Sequence, residues 1–325
     1  MGLIPENADI LPPSDDRIFK LILASAEGKP ALIDLVSALI GKQIVDVVIR
    51  NNEIPSDNAE EKAERLDLNC TIDDGTQIDL EMQASRIEEE NYKTDSGYQN
   101  LKGKGIYYLC DLHSSQPAKG IKRYDKLAKT YQVTFCSYTV FPERKTFLNT
   151  FSLRHDIDNG LLSDALHIIY VELSKLSDIL KKPVNEMSDL EKWAIFFNYA
   201  DSKEYRNTVN EVLDSKEAMK MAGNLLMSVS QDERERAVFR SRRMYQTDLL
   251  SNLQTAYDNG VTQGLQQGLQ QGLQQGLQQG LQQGKENGKM ARNLEIVKNA
   301  LLMNLSIDDI AKLTNLSVQE IEKMR

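Results

Sequence analysis

The sequence predicts an α/β fold followed by a helical C-terminal extension. Three observations carry that reading. An apolar stripe at helical spacing (Ile18, Phe19, Leu21, Ile22) opens the chain, two strictly alternating runs flank Asp73-Asp74-Gly75, and a Pro-free helical pattern runs from Ser188 to Tyr257. The 325 residues exceed what one compact core usually needs, so two or three units are expected.

Taken in order, residues 1–13 form an N-terminal arm. Pro12-Pro13-Ser14-Asp15-Asp16 then starts a helix, with Ser14, Asp15 or Asp16 able to cap it. A second helical pattern, Ala31 to Val36, ends near Gly41, and the β-branched run Ile44–Ile49 is a strand. Asn51 to Glu61 is a polar loop. In the alternating runs, Leu66, Leu68, Cys70 and Ile72 share one face, then Ile78, Leu80 and Met82. This is a β-hairpin by period and by turn chemistry. Glu88 to Leu112 is helical despite Gly97, Gly103 and Gly105, Gln132 to Val140 is a strand, and Thr146–Leu153 with Ala165–Leu173 form another hairpin around Asn159-Gly160.

From Gly260 to Gly288 a glycine falls at every fourth position, mostly with Leu-Gln-Gln between. Each glycine costs a helix about 1 kcal/mol relative to Ala, and a period of four drifts about 40° per repeat against the helical 3.6. A marginal helix or an extended spacer is expected. The last stretch reads as three short helices, two of them opening on Ser306 and Ser317. The expected divisions are therefore an arm (1–13), an α/β core (14–145), a β-hairpin and helical extension (146–258), a repeat spacer (259–290) and a small helical unit (291–325).

Composition narrows the function. Hydrophobic residues make up 41% and charged residues 27%, a globular balance, and no apolar run is long enough for a membrane span. The start of the chain lacks the pattern of a signal peptide, so a cytoplasmic location is expected. Three cysteines without CxxC spacing argue against a disulfide framework or a zinc site. A net charge of −9 argues against a protein that coats nucleic acid, so any DNA contact must be local.

The hairpin carries the chemistry. The turn places Ile72 opposite Thr76, hence Asn69 opposite Asp79 and Asp67 opposite Glu81. Directly opposed carboxylates repel across roughly 5 Å, and a divalent cation between them removes the repulsion. Hard oxygen donors without His or Cys favour Mg²⁺, Mn²⁺ or Ca²⁺. Gln83 lies on the same face, two residues on. The plainer reading is a solvated acidic sheet face.

The pattern Asp67, hairpin, Glu81-x-Gln83 resembles the core of the PD-(D/E)xK nuclease superfamily. With Asp16-Arg17-Ile18-Phe19-Lys20 before it, the chain is similar to the recombination-promoting nuclease and transposase (Rpn) family. The resemblance implies a restriction-endonuclease-like αβββαβ core on a mixed sheet. It implies a Mg²⁺-dependent DNA endonuclease linked to recombination or mobile elements, with Mn²⁺ or Ca²⁺ as substitute cations. Asp67, Glu81 and the Met82 carbonyl would hold the ion, Gln83 stands where the superfamily has Lys, and Asp16 would approach from the first helix. Because each subunit has one site, cutting both strands takes two subunits or two encounters, and a homodimer is expected. The alternative is a non-catalytic interaction module that keeps the fold.

Other signals weigh less. His113, His155 and His167 sit in no nucleophile motif, and Cys70, Cys110 and Cys136 read as core. Trp193 with Ile195, Phe196 and Phe197 reads as helical core. Two basic clusters could touch phosphates: Lys119, Lys122, Arg123, Lys126 and Lys129, and Arg240, Arg242 and Arg243 after Arg234 and Arg236. Ser306 to Met324 has helix-turn-helix spacing, with an acidic second helix.

Overall fold

A computed structural model describes residues 2–50, 68–84, 95–116 and 123–324. Helix α1 (Asp16–Leu23) is capped by Asp15, whose carboxylate accepts the N–H groups of Arg17 and Ile18 at 3.0 and 3.2 Å. Helix α2 (Lys29–Ile40) carries Pro30 in its first turn and stops at Gly41, whose φ of 66° is left-handed. Both ends follow the local rules for helix start and stop.

Strands β1 (Val47–Ile49), β2 (Leu68–Ile72) and β3 (Gln77–Gln83) pair antiparallel. Helix α3 (Asp95–Ser114) lies between β3 and β4 (Thr130–Cys136), and β4 runs parallel to β3. Strand β6 (Leu161–Glu172) runs parallel to β4 and carries its antiparallel partner β5 (Leu148–Arg154) at the sheet edge. The six-stranded order is β1-β2-β3-β4-β6-β5. The chain therefore has the expected mixed sheet in an α/β fold. One sheet runs across the expected division at residues 145 and 146, because β5 and β6 extend it.

The faces of the sheet differ. Leu68, Cys70, Ile78, Leu80, Met82, Val133, Phe135, Ile169 and Val171 join one core with Ile18, Phe19 and Ile22 of α1 and Leu32 and Leu35 of α2. Helices α4 (Asp189–Tyr199), α5 (Arg206–Asp214) and α6 (Glu217–Gln231) complete this layer. A capping box between Ser188 and Glu191 opens α4. Trp193 and Phe197 are fully buried there, and Phe19, Phe135 and Phe197 meet in tilted or edge-on pairs at 5.3–5.8 Å between ring centroids. Each such pair adds about 0.5–1.5 kcal/mol beyond burial. The opposite face meets α3, and Leu101, Cys136, Tyr138, Val140, Phe141 and Tyr170 form a second cluster there.

Two expectations need correction, and a third falls partly outside the described residues. The strand expected over Gln132–Val140 ends at Cys136, because the N–H groups of Val140 and Phe141 turn to donate to the buried Glu172 carboxylate at 2.6 and 3.0 Å. Asn149 and Lys175 complete that carboxylate's shell at 2.7 Å each. Cys110, expected in the core, is exposed, because Leu101 and Leu109 fill the inward stripe of α3. The described part of α3 begins at Asp95 and reaches Ser114; the expected start at Glu88 lies outside the described residues.

The chain divides into two units, residues 1–250 and 251–325. Helix α7 (Glu233–Leu302) includes the glycine repeat, which is α-helical rather than extended. Leu and Gln are good helix formers and occupy three of every four repeat positions. A Cβ built on any glycine from Gly260 to Gly288 meets nothing within 4 Å, so among the described residues none crowds these glycines. In the second unit Val297 and Ala300 pack against Ile310 of α8 (Ile307–Thr314) and Ile321 of α9 (Val318–Met324).

Candidate active site

The hairpin turn is set by Gly75, whose φ is 86°, with its N–H donating to Ile72 at 2.9 Å. Asp74 accepts from Lys42 at 2.6 Å and from the Thr76 N–H at 2.9 Å, and these bonds, Lys42 first, hold its carboxyl down to about 2. With the turn fixed, the register reads Asn69 opposite Asp79 and Leu68 opposite Leu80, as the alternation predicts. Asp67, the residue expected across from Glu81, lies outside the described residues.

Because side chains alternate along a strand, Asp79, Glu81 and Gln83 turn away from the Leu80 core toward the α3 side. The parallel register sets Gln132, Thr134 and Cys136 of β4 beside them in that order. All six side chains are buried. Gln83 donates its amide N–H to Glu81 Oε1 at 2.6 Å, and Lys104 of α3 forms an ion pair with the same oxygen. Gln83 Oε1, Asn69 Oδ1 and both polar atoms of the Gln132 amide have no hydrogen-bond partner among the described residues. A buried polar atom without a partner costs about 1–3 kcal/mol, so each of these atoms calls for one.

Helix α3 reaches this face through Gly105. A Cβ there would sit 2.8 Å from Tyr170 Oη, so any larger residue would push the helix off β6. Lys104 lies beside that close approach, with its Nζ 5.4 Å from the Tyr108 ring centre, whereas Lys102 turns to Phe141 at 4.8 Å. Sequence reasoning missed Lys104. The signal was the neutral Gln83 itself: a missing charge at β3 asks for a cation on whatever covers that face.

The carboxylate and amide oxygens of Asp79, Glu81 and Gln83 suit a hard divalent ion, with Cys136 as a softer group beside Gln83. Cys70 lies on the other face, and burial, followed by the Asp79 charge, pushes its thiol up to about 12. Among the described residues, no three His, Cys, Asp or Glu side chains gather as a ligand set.

Asp16 opens α1. Helix α1 packs on the Leu80 face, and the Asp16 carboxylate is held by Arg242 at 3.1 and 3.2 Å. Arg17 of the same motif is buried and makes a two-pronged bond to Glu235 at 2.7 and 2.9 Å. The basic clusters are partly neutralised: Arg123 pairs with Asp125, Lys129 with Asp164, Arg236 with Asp9 and Arg242 with Asp16. Lys119 and Lys122 lie outside the described residues.

A family model described as PD-(D/E)XK nuclease family transposase matches residues 13–256. No curated protein and no solved structure matches the chain.

Proposed function

Because this chain belongs to the PD-(D/E)XK nuclease family transposases, we propose that it is a divalent-metal-dependent DNA endonuclease acting in recombination or element mobility. The observation that carries the proposal is the buried Glu81–Gln83 pair, bonded at 2.6 Å, with Gln83 Oε1 lacking a partner among the described residues on a face lined by Asp79 and Gln132. A fold kept only for protein contacts has no use for buried carboxylates and unsatisfied amides.

Glu81 and Asp67, with the Met82 carbonyl, are the residues proposed to hold Mg²⁺, or Mn²⁺ in its place. Such an ion, when bound, polarises a phosphate oxygen and makes a bound water more acidic. The rest of the chemistry belongs to the chain. The water's oxygen bonds to phosphorus, a bridging P–O ester bond breaks, and one water proton ends on the leaving hydroxyl. Gln83 donates to Glu81 and so fixes that carboxylate's orientation, and its free Oε1 can accept a hydrogen from the attacking water. Asp16 keeps a different place in this proposal. It is proposed to approach the site from the start of α1, where it accepts from Arg242. Since each subunit offers one site, cutting both strands takes two subunits or two encounters, and the proposal favours a homodimer.

The test is nicking of supercoiled plasmid by the full-length protein with Mg²⁺, Mn²⁺ or EDTA. Metal-dependent relaxation that is lost in Glu81→Gln supports the reading. Absence of nicking with both metals, in protein that binds neither ion, rejects it in favour of an interaction module.

A further inference from the structure

In the superfamily pattern a lysine follows the strand carboxylate by two residues, and here Gln83 stands in that place without a charge. Resting on the nuclease reading above, we propose that Lys104 is a catalytic residue: from helix α3 it supplies the positive charge that meets the reacting phosphate of a DNA backbone.

The geometry supports this in three ways. Lys104 Nζ and Gln83 Nε2 share one acceptor, Glu81 Oε1. The ammonium is thus already gathered at the spot a lysine at position 83 would serve. Exposure along the pair is graded: the Glu81 side chain keeps 6% of its surface and Lys104 keeps 29%. A cation present only to neutralise a buried carboxylate would be sealed in with it, whereas this one lies on the solvent side, where a phosphate diester arrives. Finally, Gly105 brings α3 down onto Tyr170, and a Cβ at that position would come within 2.8 Å of Tyr170 Oη. The neighbouring residue is therefore held close to β3, with Tyr108 flanking its ammonium.

The chemistry asks only for charge. Attack on a phosphodiester increases negative charge on the non-bridging oxygens, and a point cation placed there in advance lowers the barrier without moving a proton. The same position gives Lys104 a second, measurable effect. A positive charge bonded to Glu81 opposes the binding of a divalent ion to that carboxylate.

The experiment compares full-length wild type with Lys104→Gln, Lys104→Arg and the exchange variant Lys104→Gln/Gln83→Lys. Single-turnover plasmid nicking is followed at saturating Mn²⁺. Mn²⁺ affinity is measured separately by electron paramagnetic resonance without DNA, and folding is checked by Trp193 fluorescence. Lys104→Gln is expected to lower the nicking rate about 100-fold and to bind Mn²⁺ more tightly than wild type. Lys104→Arg is expected to keep more of the rate, and the exchange variant to recover much of the loss by returning an ammonium beside Glu81. If Lys104→Gln unfolds, the exchange and Arg variants decide the matter. Wild type that nicks, alongside Lys104→Gln that nicks as fast or faster, overturns the role of Lys104 alone. Unchanged Mn²⁺ affinity in Lys104→Gln overturns it as well. Wild type that neither nicks nor binds Mn²⁺ rejects the nuclease reading, and the role of Lys104 falls with it.

Discussion

Replacing Gly105 by Ala tests whether α3 sits on β6 as closely as described. The new methyl would lie 2.8 Å from Tyr170 Oη and 3.7 Å from its Cζ. Tyr170 is 2% exposed and packs edge-on against Phe141 and Phe151 at 5.3 and 6.3 Å between ring centres, so its ring has little room to swing away. Forcing a methyl into such a site costs about 1–3 kcal/mol. A mid-helix Gly→Ala gains about 1 kcal/mol of helix propensity in return, so the single variant alone is a weak test. The double-mutant cycle is sharper. Tyr170→Phe deletes the oxygen that the methyl meets and leaves the Cζ contact at an ordinary distance. Gly105→Ala should then express its helical gain, and the coupling between the two changes should be favourable by about 1–3 kcal/mol, the whole overpacking cost. Urea unfolding read through Trp193 suits this. It is the chain's one tryptophan, fully buried, and in the same unit as Gly105. Additivity of the two substitutions within about 0.5 kcal/mol would mean that α3 does not make the approach described.

Asp15 gives a pH signature. Burial, helped by the adjacent Asp16 charge, lifts its carboxyl from 3.8 to about 6. The folded state therefore holds a proton that the unfolded chain releases, and stability falls as pH rises from about 4 to 6. Asp15→Asn keeps a good cap. It should melt higher than wild type at pH 7 and lose that advantage at pH 4, as followed by calorimetry; an equal margin at both pH values contradicts the shift. Asp67→Asn and Glu81→Gln should each abolish metal-dependent nicking while the Trp193 unfolding transition stays cooperative; a variant that cuts normally removes its residue from the site. Truncation after residue 250 should leave the Trp193 transition within about 0.5 kcal/mol of the full-length value, because the two units hold separate cores. Light scattering on the same pair of proteins tests the homodimer, and a monomer in both proteins excludes it.

What the sequence made legible was local. Period-two alternation and a left-handed Gly75 are enough to set Asn69 against Asp79, because a hairpin's register depends only on its turn and the strands that leave it. The start of α1 was narrowed to three cap candidates by the same kind of rule, and the structure selects Asp15. What remained hidden depends on long-range geometry. The pairing of β4 with β6 joins segments separated by the whole of β5, and nothing in either strand names its parallel neighbour. Lys104 stayed unrecognised because α3, with Gly103 and Gly105, presents no clear amphipathic stripe from which its inward side could be read. Its contact with Glu81 exists only once the helix crosses the sheet. Cys110 was misplaced for the same reason, and the strand after β4 was read too long because Glu172 lies far along the chain from Val140 and Phe141.

The hairpin between Ile72 and Gln77 acts as a parity device. Its loop of Asp73, Asp74 and Gly75, closed on Ile72 and Thr76, starts the pairing that sorts two interleaved residue sets, one to the buried polar face and one to the apolar core. Slipping β3 by one residue against its neighbours would turn Leu80 and Met82 toward α3 and set Glu81 and Gln83 among Phe19 and Phe135. The loop alone does not guard against this, because opposed residues share a face whatever the loop's length. The guard is double: β2 on one side and β4 on the other must both change partners before β3 can slip, so the sorting tolerates change in the loop and resists change in the strand.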